Sequence, residues 1–246
     1  MLIKNININF VDYGAKDNPI VLLHGWGQNI NMMKGLGNQL SSTNRIIIID
    51  LPGYGESDEP KEVWSVDDYV TFLKELLDRL NVDNPIIIGH SFGGKIGLLY
   101  ATKYNVKKLV CLASPYKKNV KKMSLKTKLL KTAKKIPVLN KLENFAKRHI
   151  GSTDYKNASD MMRKILVETV NYDISDQLYK IKCPTLLIWG TMDQAVSIND
   201  AYELEKLIAD CGLVTYEGCS HYAYLERFGQ TVNVLKNFIG DDRNEN

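Results

Sequence analysis

A serine set among glycines, Gly89-His90-Ser91-Phe92-Gly93-Gly94, stands between the apolar run Ile86-Ile87-Ile88 and a second apolar stretch from Phe92 to Lys103. A strand, a very tight turn and a helix in that order raise a serine hydroxyl above a sheet edge with little around it. Gly89 and Gly93 keep Cβ atoms out of such a turn, and Gly94 permits close helix–sheet packing. At the start of the helix, Ser91 also gains from the positive helix end as negative charge develops nearby. With Lys95 the same residues spell G-x-x-x-x-G-K, a phosphate-binding pattern. The next residue is Ile96, however, which has no hydroxyl for a magnesium ion. The Asp-tipped run Ile46-Ile47-Ile48-Ile49-Asp50 also precedes this loop, whereas nucleotide-binding folds usually have it afterwards. Nucleotide hydrolysis is therefore disfavoured.

A serine at neutral pH needs a base within hydrogen-bond reach, and the chain has four histidines. His90 adjoins Ser91 and points elsewhere, His24 ends an apolar run, and His149 lies in a lysine-rich stretch. His221, in Glu217-Gly218-Cys219-Ser220-His221-Tyr222, follows the last short strand pattern and sits at the carboxyl edge of a sheet, where α/β sites form. The carboxylate that orients it is expected at Asp193, just beyond the run Leu186-Leu187-Ile188, with Asp176 and Asp200 as fallbacks. Acyl transfer also needs donors for the developing oxyanion. The amide of Phe92, after the nucleophile, is one. The amide of Trp26 in His24-Gly25-Trp26-Gly27 is the other. Neither a metal nor a cofactor is expected.

These residues need a scaffold that brings distant loops to one edge. Pro19 to His24, Arg45 to Asp50, Pro85 to Gly89, Lys108 to Ala113 and Pro184 to Trp189 are apolar on both faces, as interior strands of a parallel sheet are. Leu213 to Glu217 reads as a shorter strand, and Leu2 to Tyr13 alternates like antiparallel edge strands. Helical spacing runs from Ser65 to Leu80, Phe92 to Lys103, Asn199 to Ala209 and Tyr222 to Ile239. Alternating strand and helix predicts an open, mostly parallel sheet with helices on both faces. From 115 to 180 the strand signal vanishes, and amphipathic stretches near 123–136, 139–150 and 157–171 replace it. The division expected is a core of 1–114 and 181–246 with a lysine-rich helical cap at 115–180.

The chain has 246 residues, 44% hydrophobic and 24% charged, with a net charge of +4. Such a composition excludes wholesale disorder. No apolar run approaches the roughly 18–20 residues of a membrane span. Its N-terminus has no signal-peptide pattern, and its four cysteines form neither a C-x-x-C pair nor a disulfide scaffold. A cytoplasmic enzyme is the expectation. The charge is uneven: residues 115–182 carry 17 Lys and Arg against 6 Asp and Glu, so the cap is basic and the remainder acidic. A basic apolar helix with Lys121, Lys122, Lys126 and Lys128 could attract an acidic carrier protein or an anionic surface. A solvated lysine face is the plainer reading. No nucleic-acid partner is expected.

The motifs at 24–27, 50–57, 89–94, 184–193 and 218–221 together resemble the α/β-hydrolase superfamily, over residues 10–239 apart from the insertion. The resemblance implies an eight-stranded sheet, a helical cap roofing the site, and a Ser91–Asp193–His221 triad with Trp26 and Phe92 at the oxyanion. Among lidded members the chain is most similar to carboxylesterases, including the pimeloyl-acyl-carrier-protein methyl ester esterases, which share His-Gly-Trp-Gly. A small-molecule acyl ester, or a thioester, is the substrate this implies. Ser91 excludes the branches with an aspartate nucleophile. Carbon–carbon bond hydrolases, the enzymatic alternative, usually carry Asn before the nucleophile and Trp after the base, where this chain has His90 and Tyr222. A non-catalytic ligand-binding relative is the other alternative. Phe228 stands where relatives commonly have Pro, a difference of packing and not of chemistry.

Overall fold

The computed structural model describes residues 1–15, 17–118 and 158–240. The predicted stretches 123–136 and 139–150, and His149, lie outside these residues.

Strands β1 (Leu2–Ile3) and β2 (Ile6–Asn7) pair only with each other. Lys4 and Asn5 between them both have positive φ, 47° and 60°, the tight hairpin that matches strand twist. The main sheet contains β3 (Phe10–Gly14), β4 (Ile20–Leu23), β5 (Arg45–Ile49), β6 (Ile86–His90), β7 (Lys108–Leu112), β8 (Thr185–Gly190) and β9 (Cys211–Tyr216), in the order β3-β5-β4-β6-β7-β8-β9. Only β3 runs antiparallel. The main sheet thus has seven strands among the described residues, not eight. The hairpin turn at Lys4-Asn5 spends β1 and β2 on one another, so a single edge strand, β3, reaches the sheet.

The interior strands are buried on both faces because alternate residues enter two separate cores. Val21, Leu23, Ile47, Ile49, Ile87 and Leu109 face one core with α2 (Val66–Arg79) and α3 (Phe92–Ala101). Ile20, Leu22, Ile46, Ile48, Ile86 and Ile88 face the other with α1 (Ile30–Leu40) and the C-terminal helix at Phe228–Gly240. A two-residue period with both faces covered explains the unbroken Ile/Val/Leu runs. Each such side chain contributes roughly 1.5–3 kcal/mol on burial.

Helix α2 begins at a capping box: Ser65 Oγ accepts from the Asp68 amide while the Asp68 carboxylate accepts from the Ser65 amide. After the described residues resume, α4 (Asp160–Asn171) and a short 3-10 turn (Ser175–Lys180) follow. Met162, Ile165, Ile174 and Leu178 from this segment join the α2–α3 core. Helix α5 (Ile198–Leu207) connects β8 to β9. The expected single helix from Tyr222 to Ile239 is two, α6 (Ala223–Glu226) and α7 (Phe228–Gly240), broken at Arg227, whose φ of −116° and ψ of 45° are not helical. Helix α1 was not anticipated. Its two glycines, Gly35 and Gly37, lower helix propensity. Yet a Cβ on Gly37 would lie 2.6 Å from Tyr13 Oη and 3.0 Å from Ile46 Cγ2, so the second glycine lets the helix lie close on the sheet.

Candidate active site

Ser91 sits between β6 and α3 with φ 50° and ψ −112°, a conformation that costs a non-glycine residue about 1–3 kcal/mol. Its amide donates to Leu112 O at 2.9 Å, tying the turn to β7, and its carbonyl accepts from Lys95 N at 3.1 Å to start the helix. The turn fits only because its neighbours lack side chains. A Cβ on Gly89 would fall 2.4 Å from Gly94 N, and one on Gly93 would fall 2.4 Å from Leu23 O. One on Gly94 would fall 1.7 Å from Ser114 Oγ. The three glycines therefore act as expected.

Asp193 follows β8 and His221 follows β9. The His221 Nδ1–H donates to Asp193 Oδ2 at 2.8 Å, which leaves Nε2 with a lone pair. Asp193 Oδ1 accepts from the amides of Ala195 (2.8 Å) and Val196 (3.0 Å). Its side chain has no exposed surface, and that of His221 is 16% exposed. A cavity of about 750 Å³ is lined by Ser91, His221, Asp193, Trp26 and Phe92, so all five anticipated residues reach one space. The Trp26 ring meets Tyr54 and Phe92 edge-on, at centroid distances of 5.2 and 5.7 Å. Phe92 opens α3, where an amide has no intrahelical acceptor. The two fallback acids are placed elsewhere: Asp176 lies in the 3-10 turn, and Asp200, on the cavity wall, pairs with Lys117 at 2.9 Å.

Several supporting residues had no clear signal in the sequence. Gly190 ends β8 directly beneath the histidine loop: a Cβ there would meet Cys219 O at 2.2 Å and Ser220 O at 2.3 Å. Glu226 on α6 accepts from the Ser220 amide and hydroxyl and pins the loop from the other side. His90 is buried beside His221, with ring centroids 4.9 Å apart. Its Nε2 lies 3.2 Å from His221 O and its Nδ1 lies 3.2 Å from Gln28 Oε1. Burial, reinforced by the neighbouring His221, pushes its pKa well below the usual histidine value. A neutral imidazole has one N–H and serves one of those two oxygens. His24 is likewise structural: Nδ1–H donates to Gly25 O at 2.7 Å and Nε2 accepts from Leu51 N at 3.0 Å. Asp50, the residue of the phosphate-site analogy, accepts from Ile30 N, Glu56 N and Asn9 Nδ2 and so ties together three separate segments.

Comparisons with known proteins agree with this architecture. The family model described as alpha/beta hydrolase fold matches residues 18–137. The AB hydrolase superfamily protein YisY of Bacillus subtilis is 25% identical over 93% of this chain and 94% of its own length. A 2-hydroxy-6-oxononadienedioate/2-hydroxy-6-oxononatrienedioate hydrolase of Escherichia coli is 25% identical over 96% of this chain and 92% of its own. The solved esterase EaEST from Exiguobacterium antarcticum superimposes with a TM-score of 0.77 at 24% identity, covering 97% of this chain and 98% of that one. The chain has the α/β-hydrolase fold, and these matches support its place in the α/β-hydrolase superfamily.

Proposed function

We propose that the protein is a serine hydrolase of carboxylic esters, acting through an acyl-enzyme on Ser91. The observation that carries this reading is the His221–Asp193 hydrogen bond in a cavity that also holds a strained serine at a strand–helix turn. His221 Nε2 takes the Ser91 proton as Oγ attacks the acyl carbonyl. The amides of Trp26 and Phe92 hold the oxyanion, and the proton passes from His221 to the departing alcohol. Water then repeats the sequence and releases the acid. Asp193 keeps the imidazole in the productive tautomer and stabilises its cation. A thioester follows the same course with a thiol leaving group. Residues 115–180 act as a cap over the cavity in this reading, and its lysines are a docking face for an acidic carrier. Activity on carrier-bound esters that is indifferent to salt would remove that carrier.

Ser91→Ala is expected to lower kcat by roughly 10⁶, as the loss of a triad nucleophile does. A fluorophosphonate should label wild-type protein at Ser91 and leave the variant unlabelled. Normal turnover in Ser91→Ala, or labelling elsewhere, ends the assignment. Carbon–carbon bond hydrolysis is a second reading, favoured by the likeness to the Escherichia coli hydrolase over nearly the whole chain. Cleavage of a vinylogous diketone in preference to aryl esters would select it.

A further inference from the structure

One turn beyond the nucleophile, the cavity wall carries a cation that ester hydrolysis does not need. Lys95 is four residues after Ser91, in the first turn of α3, and its amide donates to the Ser91 carbonyl. Both line the cavity. Lys95 is only 2% exposed. Its ammonium donates to Thr169 O at 2.9 Å and to Tyr172 O, the carbonyls at the end of α4. An ammonium has three N–H donors, and these bonds use two.

No described carboxylate forms an ion pair with Lys95. Asp173 is the acid whose charge it feels. Both oxygens of Asp173 are occupied, Oδ2 by the Lys118 amide and Oδ1 by the amide and hydroxyl of Ser175. Lys117, on the same wall, is committed to Asp200 and Glu203. Burial lowers the Lys95 pKa to about 8, so the group is still mainly a cation at neutral pH.

Burying an ammonium with no carboxylate in contact costs several kcal/mol, of which the charge of Asp173 offsets part. The partial negative charge at the end of α4 offsets part of that cost. A neutral donor could hold the same two carbonyls more cheaply, so packing alone does not account for the charge. We propose that Lys95 is an anion subsite of the cavity, and that the preferred acyl chains end in a carboxylate that pairs with its ammonium while the ester carbonyl lies at Ser91. This rests on the ester-hydrolase reading and names the substrate class within it: short half-esters of dicarboxylic acids. Asp193 and Asp200 also line the cavity, the first bonded to His221 and the second paired with Lys117.

The test uses the full-length protein and paired aryl esters of one chain length, 4-nitrophenyl pentanoate and the 4-nitrophenyl half-ester of glutarate. Wild type should favour the half-ester by about 10- to 100-fold in kcat/KM, the range of a hydrogen bond to a charged group. Lys95→Met should bring that ratio to about one, and Lys95→Arg should retain it. A helix-stapling role alone would lower both rates together and leave the ratio unmoved. A wild-type ratio at or below one, or a ratio unchanged in Lys95→Met, overturns the subsite and leaves the esterase intact. Hydrolysis of neither ester overturns the ester-hydrolase reading and the subsite with it. Should Lys95→Met not fold, calorimetry on Ser91→Ala decides: monomethyl glutarate must bind more tightly than methyl pentanoate, and equal affinities overturn the proposal.

Discussion

Ser91 holds a backbone conformation that only glycine adopts freely, and it does so to lift one hydroxyl above β6. Strain of this kind is separable from catalysis by two substitutions. Ser91→Ala removes the hydroxyl and keeps the Cβ, so its stability should stay near that of wild type. Ser91→Gly removes both and should raise the unfolding free energy by about 1–2 kcal/mol, read as a shift of the urea midpoint at constant slope. Both variants should be inactive on the ester reading. A destabilised glycine variant would mean that the turn is not the source of strain. Asp193 makes a comparable case on the acid side. Asp193→Asn preserves the shape but presents an amide in place of the carboxylate that fixes the tautomer of His221, and kcat should fall by about 10⁴.

At the scale of elements, the proposed triad depends on where three strands end. β6, β8 and β9 run parallel, so their carboxyl ends deliver Ser91, Asp193 and His221 to one edge. The histidine loop then crosses the end of β8 with no room for a side chain at Gly190. Gly190→Ala should displace the loop and weaken the His221–Asp193 bond. The expected result is loss of most activity while fluorophosphonate labelling of Ser91 slows in parallel. Activity at the wild-type level would show that the loop has slack. The strands and the serine turn were legible in the sequence because burial on both faces writes uninterrupted apolar runs, and a tight turn writes glycines. Gly190, Glu226 and His90 were not, because their roles are contacts between segments distant in sequence or a loop that crosses overhead. Helix α1 escaped notice for the opposite reason: its close approach to the sheet requires a residue that ordinarily argues against a helix. Among the described residues the main sheet is one strand short of the eight expected, and β1 and β2 pair with each other across a two-residue turn.

At the scale of the whole molecule, the buried imidazoles couple the fold to pH. His24 has no exposed surface, and burial lowers its pKa from 6.5 to about 4 against smaller opposing effects of Gly25 O and Asp50. Its two ring nitrogens show why. Nε2 must keep a lone pair for the Leu51 amide, so protonation removes that bond as well as burying a charge. His90 is shifted in the same direction. The unfolded chain therefore binds protons that the folded chain refuses, and stability rises with pH through this window. The His24 contribution is complete above about pH 6.5 and is lost as pH falls towards 4, amounting to about 3 kcal/mol for a shift of this size. Urea unfolding of wild type between pH 8 and pH 4 should follow that slope, and His24→Asn should flatten it while lowering the plateau at neutral pH. An equal slope in the variant would mean that the acid sensitivity lies with the carboxylates, whose protonation acts in the same direction but at lower pH.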